Sequence, residues 1–123
     1  MTDDALDLRL TQLDEACRDL AGDLTALRKA VAEIRRLRRR GRSVADVVRV
    51  GPGVPARREV RSSWSRLNQA LHAYRAELVR SLVEDEGMSI TDTARLTGNA
   101  RQVVSRLYHS VSSERPLRGS RGR

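Results

Sequence analysis

Phenylalanine is absent from this 123-residue chain, and Trp64, Tyr74 and Tyr108 are its only aromatic residues. Any core must therefore be aliphatic, built from Leu, Val and Ala. Cysteine is represented by Cys17 alone, which excludes a disulfide framework and a cysteine-rich metal centre. The two histidines, His72 and His109, lie too far apart for metal-ligand spacing. No apolar run approaches the roughly 20 residues of a membrane span. The acidic start MTDDALD lacks the basic-then-apolar order of a signal peptide. Neither a phosphate-cradling glycine loop nor a nucleophile–base set is legible, so no enzyme activity and no cofactor are expected. Nothing supplies a separate effector domain. These absences predict a soluble, cytoplasmic protein with no small-molecule effector.

Lysine is scarce too: Lys29 stands alone among 24 basic residues. The net charge is +8 and the pI about 11.2, which favours a polyanionic partner, nucleic acid first and an acidic membrane second. Arginine suits bidentate contacts to phosphate and guanine. A GC-rich genome would raise arginine equally, so composition alone assigns no function. With a third of the residues charged and few β-rich stretches, the chain reads as helical.

The cleanest periodicity lies in residues 2–42. Leu6, Leu10, Leu13, Cys17, Leu20, Leu24, Leu27, Val31 and Ile34 follow at alternating steps of four and three. This is a heptad seam with Leu6, Leu13, Leu20, Leu27 and Ile34 at d, and Leu10, Cys17, Leu24 and Val31 at a. One helix cannot bury such a seam. The expectation is a two-stranded coiled-coil homodimer through residues 6–34, with the protein's own later helices or a different protein as the other possible covers. Parallel pairing would join Arg9 to Asp14 and Asp23 to Arg28 across the seam. Residues 1–23 are net acidic and 24–42 strongly basic, so antiparallel pairing would offset the ends, and the orientation stays open. The helix closes on RRLRRRGR. Its cations suit the helix dipole, and Arg38, Arg39, Arg40 and Arg42 are phosphate-contact candidates.

Residues 43–60 read as a short helix capped by Ser43, with Val44, Val47 and Val48 on one face, followed by a linker at GPGVP. Residues 61–86 return to helix, with Trp64, Leu67, Leu71, Tyr74, Leu78 and Leu82 on one side, widened by Val79 and Val83. Gly87 suits the position beyond its end. The acidic EDE before it opposes the helix dipole. Residues 112–123 lack an apolar period and read as a disordered basic tail; its Arg121-Gly122-Arg123 is similar to elements that enter the minor groove.

Between Gly87 and the tail lie two short helices. Ser89 can cap the first, with Asp92 completing a capping-box-like pair, and Ile90, Ala94 and Leu96 are its expected buried positions. Gly98 allows a turn at positive φ. The second helix is expected over about residues 100–109, with Val104 and Leu107 inward and Val103 at the margin. Ala94 precedes Gly98 by four residues, and Val104 and Leu107 follow it by six and nine. Two crossing helices need a small residue for close approach, a glycine for the turn and two apolar residues to seat the second helix. Arg101, Gln102, Ser105 and His109 then face outward, with Arg106 toward the edge of that surface.

Over residues 76–109 the chain resembles the bacterial helix-turn-helix regulators, including the recombinase-type domains: ITDTARLTG resembles the first helix and turn, RQVVSRLY the recognition helix. The resemblance implies a tri-helical domain, residues 61–111, with the preceding helix in support. It implies base or nearby phosphate contacts from Arg101, Gln102, Ser105 and Arg106, joined by His109 on the same face, and phosphate contacts from Thr91, Arg95 and Asn99. Asn99 stands where an apolar residue is usual, Ala100 replaces the usual Ser or Thr cap, and Thr93 replaces an aliphatic; Asn99 could cap the helix one residue early.

The expectation is thus an all-α protein, with a long N-terminal coiled-coil helix linked to a C-terminal helix-turn-helix domain. It would act as a dimeric transcriptional regulator binding specific double-stranded DNA in the nucleoid. A nonspecific nucleoid-type DNA binder and a coiled-coil adaptor for another protein are the competing functions, and a generic helical hairpin is the competing reading of the motif.

Overall fold

The computed structural model describes residues 3–114, with side chains over residues 5–111. Every regular element among the described residues is helical: α1 (Asp3–Arg39), α2 (Val44–Val50), α3 (Gly53–Arg80) continuing into a π-helical turn (Ser81–Asp85), α4 (Ile90–Thr97) and α5 (Arg101–Glu114). The chain divides at Gln12/Leu13 and again at Gln69/Ala70 into two units. The long helices α1 and α3 each contribute to both.

In the unit of residues 13–69, α1 and α3 form an antiparallel hairpin. Ala16, Leu20, Ala30 and Leu37 are its buried residues on α1, and Leu13, Asp23, Leu27 and Ile34 are half-buried between them. The covered row therefore alternates three and four, as an amphipathic helix requires. Small residues let the backbones approach: a Cβ added at Gly53 would meet Ile34 Cδ1 at 3.0 Å. Ser63, fully buried, donates its hydroxyl to Asp23 across the hairpin and accepts from Arg66 Nη2 at 3.0 Å.

This arrangement splits the expected seam. The d row is covered within the chain: Leu20 is buried, and Leu6, Leu13, Leu27 and Ile34 are half-buried. Leu10, Cys17, Leu24 and Val31, the a row, remain exposed. In their place α1 turns Ala16, Ala30 and Leu37 inward.

At the end of α1, Gly41 takes a φ of 85°. Its N–H donates to the Arg38 carbonyl and the Arg42 N–H reaches back to the Leu37 carbonyl, the double closure that a left-handed residue permits. Ser43 caps α2 as expected, accepting from the Asp46 N–H at 3.1 Å. Val47 is buried, whereas Val44 and Val48 are exposed. The expected linker is shorter than residues 43–60, because α3 begins at Gly53. Pro55 sits in its first turn, where a missing N–H removes no helical bond, and the Ala56 N–H already donates to the Pro52 carbonyl.

The second unit joins the start of α1 as far as Gln12, Ala70–Arg80, the π turn, α4 and α5. Its core is Ala76, Val79, Ala94, Val104, Leu107 and Val111, edged by Val83, Ile90, Val103 and Tyr108. Several expectations for the core shift. Leu71 and, in the other unit, Trp64 (56% exposed) face solvent, as does Leu96, whereas Thr93 is fully buried. Helix α5 extends to Glu114, five residues past the expected end near 109.

The π turn explains the acidic EDE. Widening the helix brings residue i+5 close to residue i, so Arg80 reaches Asp85 at 2.9 Å in addition to its ordinary helical neighbours Glu84 at 3.2 Å and Glu77 at 2.7 Å. The Arg80 and Glu77 side chains are only 7% and 8% exposed. The Asp85 hydrogen bond leads the effects that hold the Arg80 guanidinium well above its ordinary pKa. Tyr108 OH donates to Glu84 Oε2 at 2.9 Å, which ties α5 to the cluster.

Candidate nucleic-acid interface

The candidate site is built from the local signals around Gly98. Ser89 caps α4, accepting from the Asp92 N–H at 3.0 Å. The Asp92 carboxylate takes the Arg95 guanidinium at 3.2 Å. Gly98 adopts φ 72°, ψ 23°, and its N–H closes on the Ala94 carbonyl. The Asn99 N–H joins the same carbonyl at 3.1 Å. A side chain other than glycine at this φ would press its Cβ against the following carbonyl. The chain then reverses, and the Ala100 carbonyl accepts from Val103 and Val104 to open α5.

Val104, Leu107 and Val111 seat α5 on the core, with Val104 fully buried. Helical geometry then sends Arg101, Gln102, Ser105, Arg106 and His109 to the opposite side. All five are exposed except Ser105, which is half-buried. Ile90 floors an open groove of about 340 Å³ lined by Arg101, Gln102, Ser105 and Arg106. Every base-contact candidate except His109 thus lines one groove, and His109 is exposed about one turn beyond Ser105 on α5.

The phosphate candidates divide. Thr91 is exposed, and its Oγ1 accepts from Arg101 Nε at 3.1 Å, so the first turn of α4 and the start of α5 share one polar surface. Arg95 is exposed and paired with Asp92. Asn99 does not cap α5: its Oδ1 faces Arg75 Nη2 at 3.4 Å and its Nδ2 donates to Thr97 Oγ1 at 3.0 Å. Its side chain instead clasps the turn to α3, a role the sequence reading missed because Arg75 lies 24 residues away. The arginines Arg38, Arg39, Arg40 and Arg42 belong to the other unit and are all exposed. Arg38 Nη1 donates to the Arg42 carbonyl at 2.8 Å. Arg121 and Arg123 lie outside the described residues, as does the tail from residue 115 onward.

Among the described residues no His, Cys, Asp or Glu group is arranged to hold a metal, and no helix is long and apolar enough to cross a membrane. No family model, curated protein or solved structure matches the chain.

Proposed function

We propose that α4, the Gly98 turn and α5 form a helix-turn-helix supported by α3, and that the protein is a sequence-specific DNA-binding transcriptional regulator. One observation carries this reading. Val104 and Leu107 fix the roll of α5, and that roll leaves Arg101, Gln102, Ser105 and Arg106 as one polar, cationic groove lining. A helix presenting Arg and Gln suits the major groove, where Arg pairs with guanine O6 and N7 and Gln with adenine N6 and N7. Thr91 and Arg95, on the α4 side, are suited to phosphate contact and so to register rather than sequence. Two copies would present two reading helices to two half-sites and multiply the affinity.

Selection of bound duplexes from a random pool with the full chain tests the reading, and an enriched palindrome is the expected result. On that site Arg101→Ala and Gln102→Ala should each remove about 1–3 kcal/mol of discrimination while the circular-dichroism spectrum stays unchanged. Arg95→Ala should weaken all duplexes alike and lower the salt slope by about one. Should both α5 variants keep full site preference, the base-reading assignment is wrong. The exposed arginines at 38–42 favour a second reading, nonspecific coating of DNA, which predicts no enrichment in the same selection.

A further inference from the structure

The a row of α1 has no cover within its unit. Cys17, Leu24 and Val31 are exposed on a helix whose d row is already covered by α3. Asp23 and Ser63 face each other across the hairpin. In an antiparallel pair the next residue of each helix emerges on the same side, so Leu24 (44% exposed) and Trp64 share one face of this unit. On that face, toward the end of the hairpin, α2 borders an apolar groove of about 460 Å³ lined in part by Leu27, Ile34, Val44, Val48 and Arg57. The residues Val44 and Val48 are themselves largely exposed.

We infer that this face binds a second copy of the chain, with the two α1 helices antiparallel and a two-fold axis at Leu24. Three observations select this occupant. First, the row is self-complementary when reversed: Cys17 meets Val31 of the second copy, and Leu24 meets its own equivalent. Such mutual matching is what an isologous contact demands. Second, the charge along α1 is graded. Residues 1–23 hold seven acids and two arginines, and residues 24–42 hold eight cations and one acid. Reversal brings Asp14 near Arg35 of the second copy, twice over, whereas parallel pairing would set the acidic end of α1 beside the other acidic end and the basic end beside the other basic end. Third, the size suffices. From Leu13 to Arg39 the helix is about 40 Å long at about 1.5 Å per residue. A face two helices wide, about 20 Å, then offers roughly 800 Å², the share of one partner in a standard interface.

The inference rests on the two-copy reading of the DNA-binding protein. Because association is measured without DNA, its failure would leave the assignment of α5 standing. Sedimentation equilibrium of the full chain should give twice the 13.8 kDa monomer mass. Leu24→Glu should weaken self-association about 30-fold or more, the loss expected at an interface hot spot, with helicity retained. Under mild oxidation the double variant Cys17→Ser/Leu24→Cys should form an efficient disulfide-linked dimer across the axis, whereas native Cys17 should not. A monomer at tens of micromolar, a Leu24→Glu dimer as tight as the parent, or efficient cross-linking of native Cys17 would each overturn the proposal, the last by showing a parallel pair.

Discussion

Replacing Thr93 by valine should stabilise the protein. The Thr93 side chain is fully buried, and its Oγ1 has no hydrogen-bond partner among the described residues. It lies on α4, next in sequence to the core residue Ala94. A buried hydroxyl left unpaired forfeits its hydration, about 1–3 kcal/mol. Valine has nearly the same shape, so it opens no cavity, and its helix propensity is close to that of threonine. The expected gain is about 1–2 kcal/mol, or roughly 3–10 °C in Tm for a chain of this length. Thr93→Ser separates the two contributions: it keeps the unpaired hydroxyl and removes a methyl, and should lose about 1 kcal/mol or slightly more. Urea denaturation followed at 222 nm reads both changes, with an unchanged slope as the check that the unfolding reaction is the same. If valine is no more stable than threonine while serine matches the parent, the hydroxyl has a native partner and the reasoning fails.

The Arg80 cluster makes the opposite prediction. Arg80→Met strands the buried Glu77 carboxylate and should lose about 3–5 kcal/mol in urea melts, most of it recovered in Arg80→Met/Glu77→Leu. Two glycines should respond with opposite signs in the same melts. Gly22→Ala, with nothing within 4 Å of the added Cβ, should gain about 0.5–1 kcal/mol. Gly51→Ala would place its Cβ 2.5 Å from the Val47 carbonyl oxygen and should lose about 1–3 kcal/mol. Arg75→Ala releases the Asn99 clasp and should weaken specific DNA binding several-fold without altering which site is selected; a changed site preference would mean that Arg75 itself reads bases.

What the sequence made legible was local. Ala94, Gly98, Val104 and Leu107 act within one turn and two short helices, so their spacing carried the geometry they adopt. The phase of α1 was harder. Its bulky Leu and Val residues announce a stripe, but a period does not say what covers it, and Ala16 and Ala30 add little apolar signal although they are buried. Close approach of helices favours such small side chains, so the covered face was the less hydrophobic of the two candidates. Pro55 misled for a related reason: proline breaks a helix interior yet suits a first turn. On α5 the outward groups followed once Val104 and Leu107 were assigned inward. Asn99 did not, because its partner Arg75 is remote in sequence.

The π turn at Ser81–Asp85 carries a consequence for insertions and deletions. Such a turn is an α-helix that holds one residue more than its hydrogen-bond ladder needs, seen here in the Glu86 N–H reaching Ser81 rather than Leu82. Removing one residue there would restore an ordinary helix at little loss of backbone bonding. It would also rotate everything beyond it by about 100°, carrying Ala94, Val104 and Leu107 off Ala76 and Val79, with which they share a core. The fold is thus far less tolerant of a changed length at these five positions than of a changed side chain at an exposed polar position of α1 such as Arg18.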